Sequence, residues 1–163
     1  MRLVSVTVRN YRLHREVTVP FGAGLTVIAG PNESGKSTLV EAIHHALFLR
    51  SRVSGEIAQS LRSAHHAGHP SVVLEFEAAG RRLTIEKTFA GPKGTTTLKE
   101  QGGRTRHNEE AEEEIHRILQ EDEAGGGKGA AKQVRGRWAH LWVWQGTSGA
   151  EPGEAKPGDR SMQ

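Results

Sequence analysis

Alternation of apolar and polar positions predicts a sheet at the start of the chain. Residues 4–8 carry valine at every second position, which is typical of a strand with one buried face. Residues 17–21 repeat this pattern and predict a second strand. Residues 25–29 are almost continuously apolar, so we expect a third strand buried on both faces. Apolar residues spaced by three and four then predict a helix over residues 35–49.

The middle of the chain is predicted to form a β-meander. Residues 51–70 are polar and are interpreted as a connecting loop that includes a helical turn. Residues 71–78 and 82–89 both alternate and are joined by Ala79-Gly80-Arg81, which predicts a β-hairpin. Residues 95–99 extend it, so the meander is expected to cover about 71–105.

The last third of the chain is predicted to be a helix followed by mostly irregular chain. Asn108 is predicted to cap a helix over residues 109–119. Residues 122–136 are rich in Gly, Ala and Lys and predict a loop. The apolar residues 138–144 predict a strand. Gly, Pro, Glu, Ser and Lys dominate residues 150–163, which predicts a disordered tail.

A phosphate-binding motif joins the third predicted strand to the first predicted helix. Residues 30–37 read Gly-Pro-Asn-Glu-Ser-Gly-Lys-Ser and match G-x-x-x-x-G-K-[ST] at every fixed position. The glycines let backbone N–H groups turn inward, and the helix directs its positive dipole end at a phosphate. Lys36 is predicted to reach the β- and γ-phosphates, and Ser37 to bind Mg²⁺. A chance match in a chain of this length is on the order of 1%.

The residues around this motif resemble the SMC/SbcC-type ABC ATPases, which act in DNA double-strand-break repair and chromosome maintenance. Glu33 stands where that family usually has glycine. The resemblance spans residues 1–149. The segments that carry it are Asn10-Tyr11-Arg12-Leu13-His14, residues 25–39, Glu41-Ala42-Ile43, the hairpin at 72–89, and residues 141–146, which resemble a strand running into a Q-loop.

The resemblance implies an α/β fold, the N-terminal lobe of an ABC-type P-loop NTPase head with an antiparallel β-subdomain. It also implies ATP and Mg²⁺ as cofactors. Lys36 and Gln145 are the implied catalytic residues, and Ser37 and Gln145 the implied magnesium contacts. The implied nucleotide-binding residues are Arg12, Gly30, Asn32, Glu33, Ser34, Gly35, Lys36, Ser37, Thr38, Arg62, Ser63 and Ala64.

Parts that an ABC head needs for hydrolysis are missing from the sequence. A Walker B strand ends in Asp followed by a catalytic Glu. This chain has two Asp, Asp122 and Asp159, and neither ends an apolar run; nor is there a Leu-Ser-Gly-Gly signature. The resemblance therefore implies half of a head. Its implied partners are the missing C-terminal ATPase half, a second head, a nuclease subunit, and DNA through the complete complex.

Two other functions stay open at this point. One is an ATP-binding regulatory module that does not hydrolyse ATP, which the missing Walker B strand favours. The other is a small P-loop switch or kinase. A GTPase switch would need Asn-Lys-x-Asp to bind guanine, and this sequence does not contain it.

Composition excludes several classes of site and of protein. The absence of Cys excludes disulfides and thiolate zinc sites. The sequence contains no run of ~18 consecutive apolar residues, so it predicts no membrane-spanning helix. We expect a cytoplasmic location, nucleoid-associated in a bacterium.

The charged residues are unevenly distributed. The net charge is +3, yet eight of the nineteen acidic residues lie in residues 109–123. This acidic run is interpreted as a solvated helix face. The other residues carry 21 basic and 11 acidic side chains. The candidate arginines for contact with the DNA backbone are Arg9, Arg12, Arg15, Arg81 and Arg82.

Overall fold

The computed structural model describes residues 1–120. Gln145, the strand predicted at 138–144 and the tail predicted at 150–163 lie outside this range. Within it the chain forms six strands and three α-helices: β1 (Arg2–Tyr11), β2 (His14–Pro20), α1 (Lys36–Phe48), α2 (Gly55–Leu61), β3 (Ser71–Ala78), β4 (Arg81–Thr88), a 3₁₀ turn (Gly91–Lys93), β5 (Thr95–Glu100), β6 (Thr105–His107) and α3 (Asn108–Gln120). Residues Met1–Ile118 form one structural unit.

The strands form one antiparallel sheet in the order β2-β1-β3-β4-β5-β6. Strand β1 pairs with β2 on one side and with β3 on the other. The register between β1 and β3 shifts between Leu3 and Ser5. The meander that the sequence predicts is therefore continuous with the N-terminal hairpin rather than a separate sheet.

One face of the sheet forms the core, and helix α1 packs against β1, β3 and β4. Alternation puts apolar side chains on this face because successive residues of a strand point to opposite sides. The strand residues buried there include Val6, Val8, Val72, Leu74, Phe76, Leu83, Ile85 and Leu98. None of the helices within residues 1–120 combines the length and apolarity needed to cross a membrane.

Most of the arginines weighed as DNA contacts are paired with carboxylates of the same chain. Their charges are therefore compensated within the fold, and they do not form an uncompensated basic patch. The pairs are Arg9–Glu16, Arg12–Glu41, Arg81–Glu114 and Arg82–Glu75.

The predicted helices and hairpin are confirmed within a few residues. Helix α1 is one residue shorter at each end than the predicted 35–49, and α3 covers the predicted 109–119. The hairpin turns at Ala79-Gly80, one residue shorter than predicted. The loop predicted over 51–70 contains a two-turn helix, α2. The amide oxygen of Asn108 accepts a hydrogen bond from the backbone N–H of Thr96 (3.4 Å) and so connects the start of α3 to β5.

The strand predicted at residues 25–29 is wrong. The segment has no regular secondary structure, and the exposed fractions of Leu25 and Val27 are 93% and 76%. A strand is stable only beside another strand that shares its backbone hydrogen bonds. The six-stranded sheet described within residues 1–120 does not include this segment. Its apolar composition suits a buried strand, but composition alone does not provide the neighbour.

The interpretation of the acidic run as a solvated face is also wrong in part, because Glu112 is buried. One carboxylate oxygen of Glu112 accepts a hydrogen bond from Nζ of the fully buried Lys87 (2.9 Å). The other oxygen accepts from the Thr96 hydroxyl (2.6 Å) and the Ser51 backbone N–H (3.1 Å). Lys87 Nζ also donates to the carbonyl of Leu49 (2.7 Å). This network connects β4, β5 and α3 to the end of α1.

Glu114 is the second buried carboxylate of α3, and it predicts a dependence of stability on pH. Burial raises the pKa of Glu114, but hydrogen bonds from Arg117 and Arg81 outweigh burial, so the pKa lies below 4.5. A carboxyl group whose pKa is lower in the folded state stabilises the fold above about pH 4.5. That contribution is lost as the pH falls through the folded-state pKa.

Glu114→Gln is therefore expected to reduce the loss of stability on acidification. The measurement is the free energy of unfolding in urea at neutral pH and at several values below about pH 4.5. Glu113→Gln is the matched control, because Glu113 is exposed on the same helix. Equal pH dependence in wild type and Glu114→Gln would contradict the prediction.

Candidate nucleotide-binding site

The phosphate-binding motif forms an exposed loop that leads directly into α1. Gly35 immediately precedes the helix with φ +87°, in the left-handed region that side chains disfavour. Its carbonyl accepts the first helical hydrogen bond from Leu39 N–H (3.0 Å). The backbone N–H of Ser34 donates to the Pro31 carbonyl (3.4 Å) inside the loop. The second fixed glycine of the motif is therefore required by the backbone conformation at this point.

The Lys36 side chain folds back across the loop. Its ammonium group donates to the carbonyls of Gly30 (2.8 Å) and Pro31 and approaches the hydroxyl of Ser34 (3.4 Å). The cation therefore lies against the first half of the motif, at the N-terminal end of α1. Because the positive end of a helix dipole lies there too, the loop concentrates positive charge around one point.

The other motif residues are mostly exposed. Ser37 is exposed in the first turn of α1, next to Lys36. Thr38 is nearly buried. The exposed residues of the motif also include Gly30, Asn32, Glu33 and Ser34. Glu33 has φ +64°, so this residue stands in a conformation that glycine adopts at lower cost.

Arg12 contacts both α1 and α2. It forms an ion pair with Glu41, with Nη2 2.8 Å from Oε1, and its Nε donates to the carbonyl of Ser60 (3.0 Å). Its backbone N–H donates to the carbonyl of Leu61 (3.1 Å). The guanidinium therefore neutralises Glu41 in this conformation. Its contact with nucleotide phosphates stays a prediction.

The loop at residues 62–64 meets the β1–β2 hairpin. Arg62 forms an isolated antiparallel bridge with Tyr11. The Ser63 hydroxyl accepts hydrogen bonds from the backbone N–H groups of His65 and His66 (3.2 Å each). Contact of Arg62, Ser63 and Ala64 with the nucleotide stays a prediction. Among residues 1–120, no group of three His, Asp or Glu side chains is arranged to hold a metal ion.

The sequence interpretation missed how the hairpin tip contacts α1. The Tyr11 hydroxyl lies 2.5 Å from Nδ1 of His45, and burial together with the charge of Glu41 raises the pKa of Tyr11. Nε2 of His14 lies 3.1 Å from the Gly35 carbonyl. The signal was present in the sequence, because both residues belong to the segment Asn10–His14 that carried the family resemblance.

Comparison with known protein families identifies the family of this chain. A family model described as an AAA domain matches residues 5–134, which include the phosphate loop and most of the chain. The chain belongs to this AAA-domain family.

The AAA-domain chain is similar to archaeal repair proteins. It is 30% identical over 121 residues to a "DNA double-strand break repair Rad50 ATPase" of Methanococcus maripaludis, covering 74% of this chain and 12% of the relative. It is 31% identical over 127 residues to the protein of the same name from Pyrococcus abyssi, covering 73% of this chain and 14% of that relative. The chain thus spans a small fraction of the length of these curated relatives.

A solved structure shows the same fold. It comes from work on the ATP-driven dimerization and DNA-stimulated activation of SMC ATPases. It aligns with a TM-score of 0.55 over 81% of this chain and 80% of its own, at 23% identity. The AAA-domain chain therefore has the fold of part of a P-loop ABC-type head. The predicted fold class and the resemblance to SMC/SbcC-type ATPases are confirmed.

Proposed function

We propose that this chain is the ATP-binding N-terminal half of an SMC/SbcC-like ATPase head that acts in DNA repair. The observation that carries the proposal is the loop before α1, where left-handed Gly35 and the folded-back Lys36 meet at a helix N-terminus. This combination of N–H donors, dipole and cation is suited to phosphate groups.

The residues present fit a Mg²⁺-bound triphosphate. Lys36 would exchange its hydrogen bonds to loop carbonyls for phosphate oxygens, a stronger charge-assisted interaction. The hydroxyl of Ser37 would be the protein ligand of the magnesium ion. The bound ion would neutralise charge on the phosphates. Gln145, which lies outside the described residues, is proposed to contact the ion or the attacking water.

The exposed segment at residues 25–29 supports the proposal of a partner. The side chains of Leu25 and Val27 are exposed to solvent directly before the phosphate loop, although the segment has the composition of a strand buried on both faces. We propose that the C-terminal half of the head covers this exposed segment. Head closure around ATP, a second head, a nuclease subunit and DNA belong to the same proposal. The names of the relatives support its DNA-repair and ATPase parts.

A regulatory module that binds ATP without hydrolysing it is the second candidate. The observation in its favour is the sequence itself, in which neither Asp122 nor Asp159 ends an apolar run. The two candidates differ in whether a second polypeptide completes the site.

Purified residues 1–163 are expected to release phosphate from ATP at a negligible rate, because no Walker B carboxylates are present. Co-expression with a polypeptide carrying a Walker B strand and a signature, encoded in the DNA downstream, is expected to give a stable complex that hydrolyses ATP. Strong turnover by residues 1–163 alone that is lost in Lys36→Ala would contradict this expectation. If no such polypeptide is encoded there, the regulatory module is favoured.

A further inference from the structure

We propose that His14 is a positioning residue of the phosphate loop. Its imidazole holds the carbonyl of Gly35 and thereby fixes the direction of the Lys36 backbone N–H. The inference rests on the proposed nucleotide binding. It assigns a role to a residue that lies outside the phosphate-loop motif.

The contact between His14 and Gly35 is close and specific. His14 is the first residue of β2 and pairs with Tyr11 across the two-residue turn of the hairpin. Its Nε2 lies 3.1 Å from the Gly35 carbonyl oxygen. A Cβ atom placed on Gly35 would clash with this nitrogen, so the ring occupies the space that a side chain would need. The imidazole thus closely covers Gly35.

The hydrogen bond determines the orientation of one peptide group. A carbonyl oxygen only accepts, so Nε2 of His14 must carry the proton. The same oxygen accepts from the Leu39 N–H (3.0 Å), which leaves both of its lone pairs engaged. In a trans peptide the C=O and N–H bonds point in opposite directions. The N–H of Lys36 therefore points back out of the helix, where the first N–H groups of a helix bind anions.

The hairpin tip that carries His14 is itself held in place. Arg12 is ion-paired with Glu41, and the Tyr11 hydroxyl is bonded to His45. Both partners lie on α1, so the tip contacts this helix at successive points along its length. These contacts hold His14 in a fixed position beside the phosphate loop.

Substitutions of His14 separate the hydrogen bond from simple packing. His14→Ala is expected to weaken Mg-ATP binding about five- to tenfold, the usual effect of one lost hydrogen bond between neutral groups. His14→Gln is expected to stay within about twofold of wild type, because the glutamine side-chain nitrogen reaches nearly as far as Nε2. The shorter side chain of His14→Asn does not reach, so its affinity is expected to match that of His14→Ala. His107→Gln is the matched control, since His107 is exposed on β6.

The test is a calorimetric titration of Mg-ATP into the full 163-residue chain and each variant, with thermal unfolding measured in parallel. Rescue by Gln but not by Asn supports the positioning role. Equal affinities for Mg-ATP in wild type and in all three His14 variants would overturn it. Binding by a folded His14→Gln as weak as that of His14→Ala would overturn it too. If wild type itself does not bind, the proposed function fails, and this result is distinct from a failure of the His14 inference.

Discussion

Mg-ATP binding is expected to fall by about 100-fold when Lys36 is replaced by alanine, the effect expected for losing charge-assisted hydrogen bonds. Lys36 is the cation that the loop holds against Gly30 and Pro31, at the N-terminal end of α1. Alanine keeps the helix intact, because it has the highest helix propensity. The measurement is an equilibrium titration of Mg-ATP into wild type and variant.

Lys93→Ala is the matched control for this experiment. Lys93 is exposed on the 3₁₀ turn between β4 and β5, outside the phosphate loop, and its replacement removes the same charge from the chain. Its affinity for Mg-ATP is expected to remain that of wild type. Equal affinities of Lys36→Ala and wild type would contradict the assignment of the loop.

Lys87→Met is expected to destabilise the fold by about 3–5 kcal/mol, because it leaves the carboxylate of Glu112 buried without its cation. Burial lowers the pKa of Lys87, and the charge and hydrogen bond of Glu112 oppose this shift. The measurement is the free energy of unfolding in urea. The double variant Lys87→Met/Glu112→Gln is expected to recover part of the loss, since a neutral amide still accepts the hydrogen bonds from Thr96 and Ser51.

Lys99→Met provides the comparison for this buried pair. Lys99 forms an exposed ion pair with Glu86, 3.6 Å apart, and its loss is expected to cost less than about 1 kcal/mol. An equal cost at both positions would show that the buried network does not stabilise the fold as described.

Helix α1, which presents the phosphate loop, is held at both ends. The hairpin tip contacts its first half through Gly35 and Glu41, and Lys87 contacts the carbonyl of Leu49 at its C-terminal end. The orientation of the loop therefore depends on β1, β2, β4 and α3 together, which belong to parts of the chain far apart in sequence.

Periodicity was sufficient to predict most elements. The spacing of apolar residues located α1, and alternation located β1 and the hairpin of β3 and β4. Such patterns report which face of an element is buried, and each of these elements finds its partner within residues 1–120. The segment at 25–29 is almost continuously apolar rather than periodic, and it forms no strand in the described sheet, so composition led to a wrong prediction there.

The buried charges show a different limit. Lys87 continues the alternation of Leu83 and Ile85, and Glu112 lies between the buried Ala111 and Ile115 of α3. The positions of Lys87 and Glu112 in these patterns therefore indicate burial, while their charged side chains indicate exposure. Only the folded structure, in which Lys87 of β4 and Thr96 of β5 both donate to Glu112 of α3, shows that the two charges neutralise each other.

The motif located the candidate site, but it did not reveal the contacts that orient the site. The fixed positions from Gly30 to Ser37 are contiguous, so they were readable from the sequence alone. The contact between His14 and Gly35 joins residues 21 positions apart. It depends on how the β1–β2 hairpin lies on α1, which no local pattern encodes.

The central claim is that this chain binds Mg-ATP at the loop before α1, and calorimetry on the 163-residue wild-type chain tests it most directly. The account predicts saturable binding of ATP that strengthens when Mg²⁺ is present, because the ion neutralises phosphate charge beside Ser37. A folded sample that shows no ATP binding, with or without Mg²⁺, would contradict it.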